Sequence, residues 1–554
     1  MPFRDDITEP LAPQLPPQAP GPDERQPTRD QIAKAKEAEY ATVPPVTMTR
    51  EAAINYGARV MDPLTSVRLA DGTSPSATVY VGERLVLRAS APEGTADAFS
   101  TLDAVAKDLG VTLHRVSTYP RPETDLVTSG PAADIIAKHW VDGVQIVPDA
   151  DKAAYPVDSW PILRALQDRT QTAASDLALD HLMTTAPQTR GVPYWVPTPY
   201  WVPTPYWVPT PAAEYAQPGT GGRAPVSLVL PDPALRARDL QRRPVVAIPD
   251  TGLGTHPWFP PGGNATAEVY FDGKLLGIDG PAGSGYPPPT TNPLDPVIQP
   301  DTGHGTFIAG LIRQLCPEAD ILAIPVMRDD GVVPETCLIN TLTLLLARHV
   351  DAMSRQDPSG ILDVLSLSLG YYHESPSDAL MDGPFGQLLA DFGRHGVAVV
   401  AAAGNATTLA PMYPAGFASQ ATGFAPDQVP LASVGALNPD GSTVAYYSNA
   451  GTWVTTHRPG SSLVSCFPTD ATASAQASAH VDFAGRARST QDPDDFQSGF
   501  CTWSGTSFAA PVLAGQIAAQ LAADPTLPDL TITAAVARGR AAMLAEIPEW
   551  TGLI

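Results

Sequence analysis

The sequence predicts an α/β protein: a doubly wound, mainly parallel sheet preceded by a small α+β domain. Three observations predict it. From about residue 223, short apolar runs (PVVAI, ADILAIPVM, ILDVLSLSL, GVAVVAAA, LASVGAL) alternate with helical stretches such as TFIAGLIRQL and TCLINTLTLLLARHV. The runs are continuous rather than alternating, as strands buried on both faces are. Upstream, SATVYVGERLVLRA reads as a strand or hairpin, FSTLDAVAKDLGVTLHRV as a helix feeding a strand, and ADIIAKHWVDGVQIVPDA repeats that order. Finally, 554 residues exceed what one small core organises, so at least two folded units are expected.

Taken in order, residues 1–50 are proline-rich and polar and are expected to be disordered. Residues 51–190 form the small α+β domain, which closes on two helical segments, SWPILRALQDRT and ASDLALDHLMTT. Residues 191–222 hold YWVPTP three times over 194–211. Proline at such short intervals forbids a helix and favours an extended, polyproline-like chain. The repeat reads as a stiff spacer, with a docking ligand for an aromatic-lined groove as the functional alternative. Residues 223–554 carry the α/β alternation.

The formal charge of −24 excludes a nucleic-acid partner, because phosphates repel it. No apolar stretch reaches membrane-spanning length, so no membrane partner is expected. The opening residues, MPFRDDITEPLAPQLPPQAP, lack the apolar centre of a signal peptide, and a cytoplasmic location is expected. The four cysteines show no CxxC spacing and no acidic loop has a metal-ligand pattern, so neither metal nor cofactor is expected. Cys466 and Cys501 fall in runs that pair as neighbouring strands on this reading, and free thiols are the expected state.

In parallel α/β sheets, reactive groups gather at the carboxyl ends of the strands. Asp250 follows PVVAIP, Asn405 follows GVAVVAAAG, and His304 and Ser507 each head a helical stretch. Singly, each has a bland role as turn former or cap. Together, an acid, a histidine and a serine make a relay in which the imidazole takes the serine proton and the acid orients it. Asn405 is placed to give an amide donor to an oxyanion. His304 also heads a stretch with Phe307, Ile308, Leu311, Ile312 and Leu315 on one face, a rigid mount for a base.

The segments DTG at 250–252, HGT at 304–306, AAGN at 402–405 and GTSFAAP at 505–511 resemble the signatures of subtilisin-like serine proteases. Their order and spacing match as well, and the likeness covers roughly residues 240–525. The resemblance implies Asp250 as orienting acid, His304 as general base and acid, Ser507 as nucleophile and Asn405 as oxyanion donor. It implies a protein or peptide substrate laid as a strand between two edges, Ser368-Leu369-Gly370 and Gly331-Val332-Val333. It also implies that Met412, before Tyr413 and Pro414, closes the pocket for the residue preceding the cut bond. Residues 76–150 resemble, in length and rhythm, the inhibitory pro-segments of such proteases, which implies an intramolecular contact with residues 76–190.

Three positions depart from the pattern. Pro249 precedes the acid, Phe307 stands where a second histidine is often found, and Tyr371 replaces the second glycine of SLGG. A sedolisin-like peptidase would need Glu at 304 and Asp at 405, and the sequence has neither. The remaining alternative is a catalytically silent scaffold on the same fold, binding partners through the YWVPTP repeat.

Overall fold

The N-terminal strand–helix rhythm folds as an antiparallel sheet, and the later apolar runs fold as a parallel one. The computed structural model describes residues 50–88, 95–116, 129–150, 157–173, 176–185, 222–278, 298–375, 383–419, 425–473 and 476–551. The segment expected to be disordered and the YWVPTP repeats lie outside these residues. All that follows belongs to the unit spanning residues 43–554.

The N-terminal elements are β1 (Ala58–Val60), β2 (Val79–Arg88), α1 (Thr95–Asp108), β3 (Val111–Val116), α2 (Pro131–His139), β4 (Val141–Pro148), α3 (Ser159–Thr170) and β5 (Leu177–Thr185). Helix α3 starts where Asp158 accepts the Trp160 N–H at 3.1 Å, a side-chain cap for a donor with no intrahelical partner. Helices α1 and α3 cover one face, where Leu85, Leu87, Leu102, Leu113, Ile146, Trp160 and Leu163 form a core. The other face is closed differently. Helix α2 packs on a long helix of the second half, α5 (Glu335–Arg355). Val86, Ile135, Ile136, Trp140 and Met183 join the core of that half.

The second half contains β6 (Val245–Ala247), β7 (Ala265–Thr266), α4 (His304–Leu315), β8 (Asp320–Leu322), β9 (Val332–Pro334) and α5. Then come β10 (Val364–Leu367), β11 (Leu369–Tyr372), α6 (Pro384–Arg394), β12 (Ala398–Ala402), β13 (Met412–Tyr413), β14 (Ala432–Leu437) and β15 (Thr456–Pro459). Last are β16 (Leu463–Cys466), β17 (Phe500–Trp503), α7 (Thr506–Ala523) and α8 (Ile532–Glu546). One sheet runs β15-β14-β12-β10-β6-β8-β7 and is parallel throughout. Every predicted run supplies one of its strands, and helix α7 lies against it with α4 alongside. The fold is the doubly wound α/β sheet expected from the sequence.

Two expectations fail. The described part of ASDLALDHLMTT is not a helix: Leu177–Thr185 is strand β5. Leu177 and Leu179 enter the N-terminal core, and His181, Leu182 and Met183 are buried as well, Met183 in the core of the second half. Its backbone finds partners on both edges, β11 on one side and β2 followed by β9 along the other. Such pairing overrides a weak helical preference. Leu315, expected on the buried face of α4, is exposed at its end. The cysteine strands do pair, β16 with β17, but Cys501 lies opposite Ser465 and Cys466 opposite Phe500. The two thiols therefore project from opposite faces, and both are free.

A buried ion pair fixes the start of the parallel sheet. Arg242 grips Asp363 with two hydrogen bonds of 2.7 Å, and Asp363 also accepts the Val245 N–H at 2.9 Å. Both side chains are nearly inaccessible. Arg242→Ala would strand the carboxylate, and it should cost about 3–5 kcal/mol in chemical denaturation. A loss below about 1 kcal/mol, the range of an exposed pair, would contradict this role.

Candidate active site

Asp250 continues strand β6 beyond its last ladder residue. Its N–H donates to Ile324 at 2.9 Å, beside strand β8, so the carboxylate stands at the carboxyl end of the sheet. The Thr251 N–H donates to Asp250 Oδ1 at 2.7 Å. His304 is the first residue of α4, and its Nδ1 lies 2.9 Å from both Asp250 oxygens. The mount is tight. A Cβ at Gly305 would run into the Gly252 carbonyl, so glycine lets the helix start sit directly on the DTG turn. Trp503 and Phe508 hold the imidazole, with ring centroids 5.6 and 5.2 Å away.

Ser507 lies in the first turn of α7, where backbone N–H groups have no intrahelical acceptor and the helix dipole favours negative charge. Pro511, one turn later, has no N–H to give to the Ser507 carbonyl. Ser368 fills the gap: its hydroxyl donates to that carbonyl at 2.8 Å. The Ser507 hydroxyl in turn donates to the Ser368 carbonyl at 3.4 Å, a long contact. The Ser507 turn and the Ser368-Leu369-Gly370 edge are thus tied in both directions.

Asn405 is anchored to the same helix start. Its Oδ1 accepts from the Thr506 N–H and hydroxyl, each at 2.8 Å. The amide is therefore oriented with its oxygen toward α7 and its NH₂ turned away from that anchor. The structure brings Asp250, His304, Ser507 and Asn405 to one end of one sheet, all buried.

The two expected substrate edges are β9 with the preceding Gly331, and β11 with the preceding Ser368. Strand β5 of the same chain runs between them, antiparallel to both. Val332 pairs with Thr184 and Val333 with Met183, while Leu369 pairs with Thr185 and Gly370 with Thr184. The Thr185 N–H donates to the Gly331 carbonyl at 3.1 Å. Met412, fully buried on β13, sits between Gly370 and Gly404. A Cβ at Gly370 would lie 2.9 Å from its Cε, and one at Gly404 would lie 2.8 Å from its Sδ.

Sequence reasoning missed four residues beside this cleft: the buried His181, Glu335 and Glu374, and the half-buried His373. Only their burial and mutual approach mark them, and they come from segments far apart in the chain.

A carboxylate oriented by a strand end, an imidazole on a helix start and a serine in a dipole-favoured turn are the residue types that a serine hydrolase site requires. The subtilase family profile (peptidase S8) matches residues 241–543, more than half of the chain, and the chain belongs to this family of serine-type peptidases. No curated protein matches it. Among the described residues, no helix is long and apolar enough to cross a membrane.

Burial disfavours a charged ring at His304, but the Asp250 carboxylate outweighs it and holds the pKa above the ordinary histidine value. A histidine NMR titration, in Ser507→Ala protein to prevent self-digestion, should place the His304 midpoint above about 6.5. Asp250→Asn removes the stabilising charge and leaves the burial, so the midpoint should fall below that value. An unmoved midpoint would separate the two residues electrostatically.

Proposed function

We propose that this chain is a serine endopeptidase that works through an acyl-enzyme, with strand β5 holding its cleft until a substrate or a maturation event displaces it. The observation that carries the reading is the His304–Asp250 contact, standing at the same sheet end as Ser507 and the anchored Asn405. In this reading a rotation about the Ser507 Cα–Cβ bond takes the hydroxyl from Ser368 to His304. His304 accepts the proton as Ser507 attacks the peptide carbonyl, and Asp250 stabilises the imidazolium. The Ser507 N–H and the Asn405 NH₂ receive the oxyanion. His304 then protonates the leaving amine, and water repeats the sequence on the ester.

Endopeptidase action is supported by what lies between the edges: an internal segment of polypeptide, not a terminus. Pro-segment-like inhibition is supported by the same pairing, since β5 uses the hydrogen-bonding groups that a substrate strand would need. Met412 supports a preference for small or medium apolar residues before the cut bond. It fills depth with an uncharged chain, and an Arg or Lys there would be buried unpaired.

Labelling by a fluorophosphonate probe tests the reading. Wild type should react at Ser507, whereas Ser507→Ala should not react and should lose about 10⁶-fold in turnover, the order known for triads of this family. Asn405→Ala should cost about 10²–10³-fold, because one of two donors remains. A folded wild type that takes no label, even with β5 displaced, would favour the silent scaffold. Thr184→Pro removes a strand N–H at the position paired with both edges, so it should speed labelling of Ser507. An unchanged rate would mean that β5 does not restrict the cleft. Met412→Gly should widen the preference toward Phe and Tyr in a peptide-library digest, and efficient wild-type cleavage after Arg or Lys would contradict the pocket. Turnover should rise with pH through the His304 titration, because only the neutral ring accepts the serine proton.

A further inference from the structure

Two imidazoles and two carboxylates meet in the interior where β5 crosses the cleft edges, and the reaction proposed above uses none of them. His181 projects from β5 and is 1% exposed. Its Nδ1 lies 2.7 Å from Oε2 of Glu335, the first residue of α5. Its Nε2 lies 2.7 Å from Oε2 of Glu374, just beyond β11. His373 stands beside them, its ring centroid 5.0 Å from that of His181 and its Nδ1 3.4 Å from the same Glu374 oxygen. One ligating atom each from His181, His373 and Glu374 lies within 4.8 Å of the others.

The charge count is the telling feature. Nearby Asp180 is matched by Arg84, and Tyr371 stacks on His181 with ring centroids 4.5 Å apart. With both carboxylates ionised and no cation, His181 carries protons on both nitrogens to serve them. The His373 Nδ1 accepts the Ser375 N–H at 2.9 Å, which gives a neutral ring with an available lone pair. The cluster then keeps one net negative charge in the interior, an unfavourable state. A divalent cation held by two neutral imidazoles, with two carboxylates alongside, brings the sum to zero.

We propose that His181, His373 and Glu374 bind one divalent transition-metal ion, Zn²⁺ by the chemistry of the donors, which clasps strand β5 to the edge of the cleft. Two imidazoles and a carboxylate suit zinc, whereas calcium and magnesium require oxygen donors. Glu335 then plays the outer role common to metal-bound histidines, accepting the Nδ1–H of His181 and aiming Nε2 at the ion. Tetrahedral ligands at about 2.0–2.2 Å from zinc stand about 3.3 Å apart, so Nε2 and the Glu374 oxygen need to separate by about half an ångström. The His373 lone pair turns from the Ser375 amide to the ion. A fourth position remains for solvent or the second Glu374 oxygen. The clasp stands or falls independently of peptidase activity.

Cobalt titration of the full chain after chelator treatment tests the proposal. Wild type should bind one equivalent with the visible bands of four-coordinate Co²⁺, zinc should bleach them, and zinc should raise the melting temperature. His181→Ala and His373→Ala should abolish the bands, while Glu335→Gln should keep them with affinity weaker by about 10–100-fold. A wild type with no cobalt bands and no zinc-dependent melting shift overturns the proposal, leaving an ionic triad around a protonated His181. Bands that persist in both histidine variants also overturn it, because the ion then sits elsewhere.

Discussion

Strand β5 lies between two strands that would otherwise be open edges, and the rest of the molecule is arranged around that insertion. Thr184 pairs with Val332 on one side and Gly370 on the other. The pairing joins the N-terminal sheet to β9, β11 and β13, so one sheet of eight strands crosses from the N-terminal half into the cleft. It also sets the seating of α2 on α5, where Asn340 exchanges hydrogen bonds with the Val141 backbone in both directions. An exposed sheet edge is a template for any strand, and here the chain supplies the strand itself.

The proposed catalytic geometry rests on a second constraint, the parallel sheet whose carboxyl ends face one way. Asp250 belongs to the β6 end, Asn405 follows β12, and the two helix starts carry His304 and Ser507. None is held by a long flexible side chain. The reciprocal contacts of Ser368 and Ser507 show how a local defect is resolved: Pro511 leaves a carbonyl unsatisfied, and the Ser368 hydroxyl satisfies it. The same contact ties the edge that pairs with β5 to the turn that carries Ser507.

Much of this was legible in the sequence, for reasons that can be stated. Buried parallel strands are written as continuous apolar runs, so PVVAI and GVAVVAAA announced themselves. Asp250, His304, Asn405 and Ser507 sit in short motifs whose glycines are demanded by close approach, as at Gly305. Segment 177–185 reads as a helix because its leucines, Ala178 and Met183 are good helix formers, and its strand character comes from partners up to nearly 200 residues away. The His181–Glu374 contact spans 193 positions, and no local pattern announces it. Cys466 and Cys501 show a finer limit: the pairing of their strands was readable, but the register that turns them to opposite faces was not.

Hydrogen exchange at the amides of residues 177–185, with and without a peptide boronate bound at Ser507, tests the central claim most directly. If β5 occupies the edges that a substrate uses, its amides should be protected in the free protein and lose that protection when the boronate peptide takes its place. Equal protection in both states, with the boronate attached to Ser507, would show that the strand and the substrate do not compete.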